Sequence, residues 1–159
     1  MLKYLLISSI LSLIILVASQ YTRRHMHPFE MMTNWLFSSA LLFILSNIIE
    51  LNQKWIEVEN TKTVFWSLTF YRLFIIPGLT LWLLFVYSSK TIRPIYKQMC
   101  TILWFLVLIK IQFFHEFLGL IQFKQWNVYF SFLEWFSFWL LTVGVWGSFR
   151  LLLKKEEVF

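Results

Sequence analysis

The sequence predicts an all-α integral membrane protein, a single domain built as a bundle of five transmembrane helices. Three observations carry this reading. Five long apolar runs, separated by four short charged connectors, take up nearly all of the 159 residues. Each run approaches or exceeds the about 20 residues that a helix rising about 1.5 Å per residue needs to cross a hydrocarbon core. The composition, 59% hydrophobic and 21% aromatic with a mean hydropathy of +0.69, is more apolar than a soluble domain of this length can bury. The runs are continuous rather than alternating with period two, so helices are expected and not a barrel. No internal repeat is visible, and with it no sign of the inverted repeats of many transporters.

The first span is expected at 2–19. Val17-Ala18-Ser19 resembles a signal-peptide cleavage site, but Arg23 and Arg24 follow directly and resist translocation, so span one is expected to be kept. His25 and His27 lie in the connector behind it, and two histidines alone do not make a metal site. Span two is expected at 31–51, with Ser39, Ser46, Asn47 and Glu50 forming a polar stripe. Span three, at 64–87, carries Arg72 and a kink at Pro77-Gly78. Span four, at 99–121, places Gln112, His115, Glu116 and Gly119 on one face at about 100° per residue, with Lys110 nearly opposite. Span five, at 128–149, holds Glu134, Ser137, Gly144 and Ser148; the last two are spaced for close helix contact.

The net charge of +6 comes from residues in the connectors, where the positive-inside rule accounts for it without nucleic acid. Lys3, Lys54, Lys62 and Lys124 fall on one side of the membrane. Arg23, Arg24, Lys90, Arg93, Lys97, Arg150, Lys154 and Lys155 fall on the other. The richer side is read as cytoplasmic, which puts the amino terminus outside and the carboxyl terminus inside. Tyr21, Trp55, Tyr87, Tyr96, Trp126 and Tyr129 mark the headgroup levels. The lone Cys100 allows neither an intrachain disulfide nor a thiolate cage. No aspartate is present, which excludes Asp dyads and Asp-based intramembrane proteolysis. His115-Glu116 lacks the second histidine of a zinc-protease helix. No cofactor or metal is expected, and no catalytic residue is assigned.

Seven polar groups remain at membrane depth: Asn47, Glu50, Arg72, Lys110, His115, Glu116 and Glu134. A charge near a helix centre costs about 2.5–3.5 kcal/mol on insertion scales, so such groups face a partner or a wet cavity. Glu50 is read mainly as a solvated span end. Arg72 is expected to pair with Glu116, with Glu134 as the alternative.

Thr33-Asn34-Trp35 opening the second span and Glu50 closing it form part of a recurring order of features. Pro77, Glu116 with Leu120-Ile121, and Trp126-Asn127-Val128-Tyr129 before the last span continue it. This order resembles a family of small multi-span membrane proteins from Bacillus-type Gram-positive bacteria. The resemblance covers about three-quarters of the chain, through scattered single residues. It implies the plasma membrane and no particular activity. The leading expectation is a non-enzymatic membrane protein whose polar faces pack internally or against a partner. That partner would be a second copy or another membrane protein, within the lipid bilayer. The competing expectation is a small proton- or ion-coupled transporter using the Arg/His/Glu cluster, against which the count of four glycines stands.

Overall fold

A computed structural model describes residues 2–24 and 26–155. It contains five helical spans long and apolar enough to cross a membrane, Leu2–Arg23, Pro28–Asn52, Lys62–Ser88, Pro94–Phe117 and Val128–Lys155. Span one is α1 (Leu2–Ser19) with a 3₁₀ turn, Gln20–Arg24. Span two is α2 (Pro28–Asn47) running into a π turn, Ile48–Asn52. Span three is α3 (Lys62–Phe70), a second π turn (Tyr71–Ile75) and α4 (Ile76–Ser88). Spans four and five are α5 (Pro94–Phe117) and α6 (Val128–Lys155). His25, of the histidine pair in the first connector, lies outside the described residues.

The helix starts follow from local chemistry. His27 Nδ1 accepts from the Phe29 amide, and Glu30 Oε2 accepts from the His27 amide, a reciprocal cap ahead of Pro28 at the first helical position. Thr61 Oγ1 caps α3 by accepting from the Val64 amide, and Asn127 Oδ1 caps α6 by accepting from the amides of Tyr129 and Phe130. Span two therefore opens at Pro28 rather than near residue 31, because the cap lies upstream of the apolar run.

Span four corrects the expected range of 99–121 at both ends. Pro94 starts it early. Gly119, at φ 70°, ends it, with its amide donating to the Glu116 carbonyl and the Leu120 amide to the His115 carbonyl. This is a Schellman ending, which wants glycine at the left-handed position. Leu120 and Ile121 have already left the helix. Ile121–Phe123 (β2) pairs antiparallel with Ile56–Val58 (β1), matching Ile56 with Phe123 and Val58 with Ile121. The connectors after spans two and four thus form one short ribbon over one end of the bundle.

Span three is the hub. Half of its apolar window is buried, against 11–28% in the other four spans. α1 packs on α3 and α4, α2 packs on α4 and α6, and α5 packs on α4 and α6. Behind Arg72, an apolar centre is built from Leu42, Ile76, Leu83, Trp104, Leu108, Trp135 and Phe138. The Trp104 ring stacks on Phe138 at 6.1 Å. The outer faces stay apolar: Ile7, Leu13, Val17, Leu103, Leu133 and Leu140 are all exposed, as lipid-facing positions should be. At the end away from the ribbon, Lys97 Nζ donates to the Tyr87 carbonyl at 2.8 Å and satisfies the end of α4.

Gly144 and Ser148 do not join helices within the chain. Both are exposed, and a Cβ at Gly144 would meet nothing within 4 Å. Gly78 is the glycine that close packing requires, since its Cβ would stand 2.0 Å from Ile15 Cγ2. That methyl sits on a β-branched carbon and cannot swing aside. Gly78→Ala is expected to cost ~1–3 kcal/mol in a detergent unfolding titration, with part of the loss recovered by adding Ile15→Ala. Gly144→Ala should leave stability unchanged or slightly raised.

Candidate functional site

Arg72 Nη2 donates to Glu50 Oε1, an ion pair with both side chains about 15% exposed. This corrects the expected pairing with Glu116 or Glu134, and it also corrects Glu50 as a solvated span end. The reason is directional. Side chains lean toward the amino-terminal end of their helix, and for span three that is the end where span two finishes. The long guanidinium arm therefore meets Glu50, although the two residues sit at different positions along their spans. Each stands on one of the two π turns, where one extra residue per turn re-aims the side chain.

Pro77 explains the backbone beside this pair. It has no N–H to give to the Leu73 carbonyl four residues back, and in hydrocarbon an orphaned carbonyl costs several kcal/mol. Span two supplies the missing donors. Trp35 Nε1 donates to the Leu73 oxygen at 2.9 Å, and Ser39 Oγ, also bonded within its own helix, reaches it at 3.4 Å. The proline thereby fastens span three to span two.

A second polar group faces the ion pair across a cavity of about 50 Å³. Gln112 Nε2 donates to Glu134 Oε2 at 3.0 Å, and Trp135 Nε1 donates to Gln112 Oε1 at 3.2 Å. An indole nitrogen only donates, so this bond fixes which way the Gln112 amide points. The Tyr71 ring meets His115 edge-on at 4.8 Å, and the buried Tyr71 hydroxyl has no hydrogen-bond partner. Glu50, Tyr71, Arg72, Gln112, His115 and Glu134 all line this cavity, which has room for a few water molecules. Ile56 and Ile121 of the ribbon line it as well, and Leu42, Ile76 and Trp135 join it to the apolar centre.

Two further spaces adjoin the cluster. Glu50 and Arg72 also line a cleft of about 600 Å³ against β1 and the start of α3. Tyr71 and His115 also line an apolar groove of about 250 Å³ between α1 and α5.

Of the seven expected residues, Glu50, Arg72, His115 and Glu134 come together. Asn47 is exposed at the rim of the cleft, and Lys110 is exposed on the opposite face of α5, as its helical position requires. Glu116 is half-buried outside the three spaces and forms no side-chain hydrogen bond or ion pair among the described residues.

Sequence reading missed Tyr71, whose role has no signal apart from its place before Arg72. It also missed Glu30. This fully buried carboxylate accepts from Trp146 Nε1 at 2.5 Å, and the Arg150 guanidinium lies 5.3 Å above the Trp146 ring. The signal was present in His27-Pro28 followed by Glu30, a capping box.

Among the described residues no three His, Cys or carboxylate side chains gather as a metal site. Comparisons with protein families, with curated proteins and with solved structures find no match for this chain. The arrangement itself holds one guanidinium on one carboxylate, sets a second, amide-bonded carboxylate on the same cavity, and offers one spare hydroxyl donor. It can bind the bundle together and hold water or a proton-sized species.

Arg72→Leu is expected to destabilise the protein by ~3 kcal/mol, because it strands a buried carboxylate. Adding Glu50→Leu should recover at least ~1 kcal/mol. Adding Glu116→Gln should recover nothing beyond the ~0.5 kcal/mol of ordinary additivity, as read in a double-mutant cycle.

Proposed function

We propose that the chain is a non-enzymatic, multi-pass protein of the plasma membrane whose intramembrane charges hold its helices in register. Its lipid-facing surfaces are then left for a second copy or another membrane protein. The observation that carries this reading is the pairing itself. Arg72 is bound to Glu50, and Glu134 to Gln112, around a cavity of only about 50 Å³. A solute site in a protein usually measures ~300–1,000 Å³. The apolar centre of Leu42, Leu83, Trp104 and Leu108 leads away from the cluster and offers a solute no polar stepping stones. The likeness to small membrane proteins of Bacillus-type bacteria supports the plasma membrane, and the Lys and Arg distribution supports an outer amino terminus.

A transporter reading draws on one observation: Glu134 and His115 stand with the spare Tyr71 hydroxyl around the same space. The test is proton flux in liposomes holding a pH-sensitive dye, under an imposed gradient. Leak equal to protein-free liposomes is the expected result. A flux that Glu134→Gln abolishes would establish the transporter instead. Labelling of a cysteine introduced at Lys155 should occur only after permeabilisation; labelling from outside would reverse the orientation.

A further inference from the structure

The cleft beside the ion pair is larger than the cavity behind it, and its charges do not all cancel. Glu50, Lys54, Glu57, Glu59 and Arg72 line it. Glu50 is taken by Arg72, and Glu57 by Lys124 of the ribbon at 3.2 Å. One cation and one anion are left over, Lys54 and Glu59, and neither forms an ion pair among the described residues. Glu59 Oε2 is closed off from solvent and accepts no hydrogen bond, so the half-buried carboxylate meets the cleft through its other oxygen, Oε1, which accepts none either among the described residues. Arg72 carries five N–H donors, and among the described residues Glu50 is their one hydrogen-bond partner. The cleft thus presents unused donors and an unused acceptor to whatever occupies it.

Position says what that occupant is. The cleft lies where span two ends and span three begins, at the level where chain leaves the membrane. Leu51 and Phe65, 67% and 61% exposed, form apolar edges to it. A ligand can enter sideways from the bilayer with its polar part in the cleft and its chains along these edges. At about 600 Å³ the volume falls within the ~300–1,000 Å³ of ordinary ligand sites.

We propose that this cleft binds the zwitterionic headgroup of a phospholipid with a primary amine. The phosphate sits against Lys54 and the open donors of Arg72, and the ammonium N–H groups donate to Glu59. A quaternary ammonium has no N–H to offer Glu59, so ethanolamine lipids are preferred to choline lipids. Lipids with a phosphate but no amine satisfy Lys54 and leave Glu59 unmet. The binding does not depend on whether the inner cluster is structural or conducts protons.

Lys54 provides an unusual control. It sits at φ 54°, a left-handed position that favours glycine. Lys54→Gly therefore removes the charge while easing the backbone, and should weaken lipid binding in a protein that is at least as stable.

The test uses the full-length protein in nanodiscs of mixed phosphatidylethanolamine, phosphatidylcholine and phosphatidylglycerol, with native mass spectrometry counting the lipids retained. Phosphatidylethanolamine should be retained above its bulk share. Glu59→Gln should weaken that retention roughly tenfold, the loss of one charge-assisted hydrogen bond. Lys54→Gly should also weaken it, and Glu116→Gln, outside the cleft, should leave it unchanged. Equal retention of the three lipids would overturn the proposal. So would binding of soluble phosphoethanolamine without retention of the lipid, which would assign the cleft to a free zwitterion.

Discussion

Hydrocarbon gives a guanidinium no water to fall back on, and lipid supplies little hydrophobic drive for helix to meet helix. Arg72 sits ten residues into the most buried span, so the fold must provide it with a carboxylate. That requirement fixes the position of span two, because Glu50 has to reach the same point. Both residues stand on π turns, which widen the backbone where the two side chains need to be aimed. The Leu73 carbonyl, freed by Pro77, then takes donors from Trp35 and Ser39 of the same neighbour. An ion pair and a backbone repair at adjacent residues of span three thus tie it to two places, a few turns apart, on span two.

The other contacts arrange themselves around that seam. α6 lies on α2, carrying Glu134 to the Arg72 end and Trp146 to the Glu30 end. Each end therefore has a buried carboxylate that accepts from an amide or an indole, with an apolar aromatic centre between them. α1 packs on span three. It touches α3 and α4, and its tightest contact is the Ile15 methyl over Gly78. The groove between α1 and α5 remains because nothing draws those two helices together.

The number of spans, their order and their approximate limits were legible in the sequence, because a hydrocarbon solvent imposes one length and one backbone solution. Four of the seven expected polar residues do converge. The identity of the partner was not legible, since depth was counted from span ends and the lean of side chains toward the helix amino terminus was left out. Counting placed Glu50 at the surface; geometry brings Arg72 to it. Likewise Gly119 was placed on the polar face of span four, whereas its positive φ ends the helix. Tyr71 and the ribbon pairing were invisible for another reason. A tyrosine in an aromatic-rich span has no distinguishing pattern, and three-residue strands carry too little periodicity to detect.

The ribbon matters to the cluster because of what it weighs against. On the inner side, the polar cavity is backed by Trp135, Phe138 and Leu108, all nearly or fully buried. On the other side it is bounded by Ile56 and Ile121, held by three residue pairs and one exposed Lys124–Glu57 contact. An isolated two-stranded ribbon is marginal in water, and an exposed ion pair adds only ~0–1 kcal/mol. The burial of Trp126 against Leu120 and Val64 supplies the rest of its hold. Opening the ribbon therefore costs less than disturbing the aromatic centre, and local opening in proteins follows the least stable unit. The ribbon is therefore the less stable wall of the cavity that Glu134 and Tyr71 line. The same asymmetry lets Arg72 and Glu50 keep their pair inside while the cleft beside them faces the headgroups.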